Sequence, residues 1–123
     1  MDDVSDSILL SVKKVCGIQP DCTDFDTDII MHINTAFLTL NQLGVGPAKG
    51  FSIADKDALW LDYMPEDNPN FEAVKTYVGA KVRLVFDPPM SSIVAETLKE
   101  VTKELEFRLN VEAETGSGVI SNV

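Results

Sequence analysis

The sequence predicts an all-α protein, a small helical bundle of about four main helices that ends in a C-terminal antiparallel helical hairpin about a Pro-Pro turn. Three observations carry this expectation. Apolar residues recur every three or four positions through Phe25, Ile29, Ile30, Ile33, Phe37, Leu40 and Leu43, the spacing that lines one face of a helix. The same period returns at Val74, Val78, Val82 and Val85, and again at Val94, Leu98, Val101, Leu105 and Leu109. Between those two runs stand Pro88 and Pro89, which lack amide hydrogens and push the residue before them out of helical geometry.

Taken in order, "VSDSILLSVKKVC" at residues 4–16 places Val4, Ile8, Val12 and Val15 at helical spacing, with Gly17 as a stop. Pro20 then breaks the chain, and Thr23 followed three residues later by Asp26 reads as an acidic variant of the capping box that opens the second helix, which runs to Gly44. Residues 44–69 are interrupted by Gly and Pro; "DKDALWLDYM" should form a short helix and "GFSI" a piece of extended chain. The third long helix starts at Phe71, and Gly79 with Ala80 thins one side of it so that another backbone can approach. It should end near Phe86 or Asp87, where the double proline acts as a fixed-angle post. The last helix follows over about 90–110, capped by Ser91 or Ser92, with Lys99, Glu100, Lys103, Glu104 and Glu106 opposite its apolar stripe. After Val111 the period is lost, so residues 1–111 read as one helical domain and 112–123 as a flexible C-terminal tail.

Composition bounds the function. A chain of 123 residues with 45% apolar and 24% charged side chains holds one core and should fold. Its longest apolar stretches are a few residues, as in "ALWL", whereas a spanning helix needs about 20, and the acidic start "MDDVSDS" does not resemble a secretion signal. The expected place is therefore the cytoplasm. With 20 acidic against 10 basic residues the net charge is -10, which disfavours a grip on phosphate backbones, since that takes clustered Lys and Arg. Plain solubility explains the acidity as well as a role in holding DNA at a distance does.

Motifs for chemistry fail one by one. Asp24, Asp26 and Asp28 alternate as in a calcium loop, but Ile29 stands where the loop needs Gly and Thr35 where it needs a bidentate Glu. Acids favourable to the helix dipole explain them better. Cys16, Cys22 and His32 are too few and wrongly spaced for structural zinc, and in a reducing compartment the two thiols are expected packed or free. His32 has no nucleophile to pair with by sequence logic. "GVGPAKG" follows no strand and reads as a turn rather than a phosphate cradle. Asp62, Glu66 and Asp67 lie in a polar loop where solvation is their expected state. No catalytic residue, cofactor or metal site is expected.

"TDFDTDIIMHINTAFLTLNQLGVGP", then "GFSI" with a following Trp, then "VKTYVGAKVRLVFDPPMSS" and finally "KELEFRLN" together resemble the small head-tail connector proteins of long-tailed bacteriophages and prophages, over nearly everything from Ile8 to Asn110. The resemblance implies a mostly helical structural protein, not an enzyme. It implies assembly with itself into a ring beneath the portal protein, a docking surface for a downstream tail or head-completion protein, and a place in the virion after assembly in the bacterial cytoplasm. No specific nucleic-acid or membrane partner is implied.

Two other classes remain open on the residues alone: an acidic helical regulator or DNA mimic whose carboxylates imitate phosphates, and a small helical enzyme or ligand carrier, which would show a deep apolar pocket. On the connector reading, Phe51, Trp60 and Tyr63 are the candidate assembly interface, because large aromatics are enriched at interface hot spots and these interrupt the helical period. A plug of the bundle end by Trp60 is the competing expectation. The candidate DNA-repelling carboxylates are Glu100, Glu104, Glu106, Glu112 and Glu114.

Overall fold

The computed structural model describes residues 6–116. Five helices follow one another: α1 (Ile8–Val15), α2 (Asp26–Gln42), α3 (Trp60–Tyr63), α4 (Phe71–Phe86) and α5 (Ser92–Gly116). The all-α expectation holds, with one isolated bridge between Ser7 and Leu59 as the only β pairing among the described residues.

The first helix begins at Ile8 because Ser7 caps it: the Ser7 Oγ accepts from the Leu10 amide at 3.2 Å and donates to the Lys56 carbonyl at 2.7 Å, tying the helix start to the irregular segment. Val4, expected on its apolar stripe, lies outside the described residues. Ile8, Leu9 and Val12 are buried, whereas Val15 is half exposed.

The second helix is the centre of the core, with Ile29, Ile33, Ala36, Phe37 and Leu40 buried. The capping box expected at Thr23 and Asp26 is not formed. Thr23 contributes only its backbone carbonyl to the Asp26 amide, and the Asp26 carboxylate instead meets the Lys13 ammonium at 2.8 Å. A charge-assisted pair with a buried cation outweighs a bond to a backbone amide. At the other end Gly44, at φ +87°, lets the Val45 amide reach back to the Leu40 carbonyl and its own amide reach Asn41, which satisfies the orphan carbonyls of the last turn.

"GFSI" does not join a strand. Its partner is a side chain: Asn34 accepts from the Ile53 amide at 2.8 Å and donates to the Ile53 carbonyl at 3.0 Å, so one amide group on α2 does the work of a neighbouring strand. The expected helix in "DKDALWLDYM" shrinks to the four residues of α3, started by Asp62, whose carboxylate accepts from the Leu59 amide at 2.9 Å.

The hairpin forms about Pro88 and Pro89. Its helices are antiparallel, since Asn70 and Ala73 share a groove with Leu109 and Glu112 while Tyr77 and Lys81, further along α4, both reach Glu106. Two expectations about its second arm are corrected. Val94 and Val101 are exposed, and the inward face runs instead through Leu98, Thr102, Leu105, Leu109 and Ala113. Thr102 tolerates burial because its hydroxyl donates to the Lys99 carbonyl at 2.7 Å. The helix also runs on to Gly116, past the expected end near residue 110, because Ala113 still packs on the core against Gly44; the rest of the expected tail lies outside the described residues. On α4, Val85 is exposed rather than part of the stripe. At Gly79 the approaching group is not a backbone but the Val15 side chain, whose Cγ2 would sit 3.4 Å from an added Cβ.

Candidate assembly surfaces

The three candidate interface aromatics come together, but inside the molecule. Phe37 of α2 is their hub, with ring centroids 5.0 Å from Phe51, 6.1 Å from Trp60 and 4.7 Å from Tyr63. Trp60 is 3% exposed and Tyr63 5%. The Trp60 indole N–H donates to the Ser11 hydroxyl at 3.0 Å, and Tyr63 donates to the Val45 carbonyl at 3.4 Å; burial pushes the Tyr63 phenol up to about 12. The chain at Gly46 passes directly over that ring, so that a Cβ there would lie 2.6 Å from the Tyr63 hydroxyl. These rings stitch the irregular segment to α1 and α2, and only Phe51 is partly open. The apolar side chains this segment turns outward are Leu59 and Leu61.

The candidate carboxylates divide. Glu100, Glu104, Glu112 and Glu114 are exposed on α5, with Glu104 held to Arg108 at 2.6 Å. Glu106 does not belong with them. It is half-buried, accepts from the Tyr77 hydroxyl at 2.7 Å and pairs with Lys81 at 3.5 Å, a bridge across the hairpin. Burial, and then that bond, pushes the Tyr77 phenol well up, so the phenol keeps its proton.

What the sequence reading missed is the exposed apolar surface. Val85, Met90, Ile93 and Val94 all stand at least half exposed around the Pro-Pro turn. At the far end of the same two helices Phe107 and Val111 are exposed beside an open groove of about 430 Å³ lined also by Ala73, Leu105 and Leu109. Met31 and Leu38 form a third exposed pair on α2. The one available signal was that Ile93, Phe107 and Val111 fall off the predicted stripe of α5, leaving apolar residues on two faces of a single helix.

Among the described residues no group of His, Cys, Asp and Glu is arranged to hold a metal ion, Cys16 and Cys22 are free thiols, and no helix is long and apolar enough to cross a membrane. A helical bundle that buries Phe37, Trp60, Tyr63 and Tyr77 and leaves apolar side chains, Phe107 among them, exposed at both ends of its hairpin has the build of a structural subunit. The family model of the phage connector protein matches residues 8–116, and the chain belongs to that family. No curated protein and no solved structure matches it. Its general role is that of a structural connector in a phage particle.

Proposed function

We infer that the protein is a head-tail connector that assembles with itself into a ring between the portal and the tail, touching the portal protein on one side and a tail or head-completion protein on the other. The observation that carries this reading is the pair of exposed apolar regions at opposite ends of the α4–α5 hairpin, Val85 to Val94 at the turn and Phe107 with Val111 at the other end. A ring needs two different patches on each subunit, whereas a closed dimer needs one self-complementary patch. Phe51, Trp60 and Tyr63 act in assembly indirectly, by fixing the backbone that presents Leu59 and Leu61. Glu100, Glu104, Glu112 and Glu114 are the carboxylates available to face a DNA channel. Sedimentation of the purified protein across concentration, alone and with its portal, followed by electron microscopy, tests the reading. Annular particles are expected; a protein that stays monomeric and ignores the portal contradicts it, and a tight one-to-one complex with a nucleic-acid enzyme would favour the DNA-mimic alternative.

A further inference from the structure

The turn of the hairpin differs in charge from the rest of the chain. Residues 81–99 carry Lys81, Arg83 and Lys99 against Asp87 and Glu96, near neutrality in a protein whose net charge is -10; Lys81 is paired with Glu106 and Lys99 with Glu96, which leaves Arg83 as the cation of the turn. Arg83 has no carboxylate partner among the described residues; its Nε donates to the Asp87 carbonyl at 3.4 Å. Val85, Met90, Ile93 and Val94 are exposed about the same turn, Met90 fully.

The opposite character is found at the foot of α4. There a cleft of about 300 Å³ has Leu59, Leu61 and Phe71 as its apolar walls and Asp6, Glu66 and Glu72 on its rim, Lys75 offsetting one of them. Residues 55–72 as a whole hold six carboxylates and one lysine. Phe71 and Phe86 bound the helix between the two regions, and at 1.5 Å per residue that helix keeps them about 22 Å apart. No molecule can bring its own turn to its own foot.

Resting on the ring reading above, we propose that the occupant of the acidic cleft is the hairpin turn of a second copy of this chain, with Met90 seated between Leu61 and Phe71 and Arg83 facing the Glu66 and Glu72 side. The apolar groups supply the contact area, and the charges set the register and reject the like-charged faces that make up the remaining surface. The contact is head-to-tail, so every subunit keeps one free turn and one free cleft until the ring closes.

The test is a chain carrying Leu61→Cys and Met90→Cys with Cys22→Ser, oxidised at high protein concentration, beside each single variant; positions 61 and 90 are exposed, so the fold should be retained, which wild-type helicity of each variant would check. The double variant is expected to give a disulfide ladder of dimers, trimers and larger species, and a mixture of the two single variants is expected to give 61-to-90 dimers only. Arg83→Glu should move assembly to a concentration at least about tenfold higher. If the protein sediments as oligomers but positions 61 and 90 never cross-link, the docking is overturned and the ring reading stands. If it is monomeric at every concentration and with the portal, both fall. Cross-linking of Met90→Cys to the portal or tail protein in place of position 61 assigns the turn to that partner and overturns the proposal as well.

Discussion

Cys16 closes α1 in a buried position next to the hairpin turn, and its surroundings act on its proton. Burial pushes the thiol from 9.0 up to about 11, with Asp87 adding to the effect and Arg83 opposing it. The folded chain therefore holds a proton that the unfolded chain has already released, so the contribution to stability is full below pH 9.0 and is lost as pH rises through about 11. Tyr63, raised from 10.0 to about 12, behaves the same way one unit later. The melting temperature should be level from neutrality to about the thiol's ordinary value and then fall, and Cys16→Ala should delay the onset by about a unit; an unchanged onset would acquit the thiol. Sequence logic foresaw a packed or free cysteine, and that much was legible. It did not foresee Lys13, whose side chain is 1% exposed and bridges Asp26 and the Pro20 carbonyl, because a lysine pair at a helix end has the pattern of a solvated one and only the returning chain at residues 20–26 supplies the partners.

At the scale of the elements, periodicity carried the reading well where one face is buried and badly where two faces are apolar. The bounds expected for α2 and α4 lie close to those observed, since Pro, Gly and a single stripe all agree there. In α5 the residues Val94 and Val101 compete with Thr102 and Ala113 for the inward side, and hydrophobicity alone chose the valines. What decides is the neighbour: Asn110 donates to the Leu43 carbonyl at 3.1 Å and Ala113 fits against Gly44, contacts that rotate the helix and carry it beyond its expected end. Leu109, 1% exposed, is the deepest apolar side chain of that arm. Leu109→Ala should cost about 2 to 5 kcal/mol, whereas Val101→Ala should stay within about 0.5 kcal/mol. Chemical denaturation of the two variants measures both, and a larger loss at Val101 would restore the stripe first read from the sequence.

For the whole molecule, family membership was legible from a few quoted stretches, while the outward patches were not, because a contact surface assembled from two ends of a hairpin has no period. The charge was legible as a total and becomes informative only once it is placed. Glu100 and Glu104 follow one another at helical spacing on the exposed side of α5, Glu112 stands on a groove rim, and Glu114 is exposed near the helix end. If the ring reading is right and these line a channel, DNA passing within about a Debye length, roughly 8 Å at physiological salt, meets repulsion rather than a grip. Fluorescence anisotropy with a labelled duplex is therefore expected to show no binding at physiological salt. Changing Glu100, Glu104 and Glu112 together to Lys should introduce weak affinity that disappears as salt is raised, because each new cation releases a counterion from the duplex. Glu106 is left in place in that experiment, since its bridge to Tyr77 and Lys81 holds the hairpin and its loss would confuse folding with binding. Tight, salt-sensitive binding by the unmodified protein would place cations, not these carboxylates, on the surface that DNA meets, and Arg83 at the hairpin turn would then be the first residue to mutate.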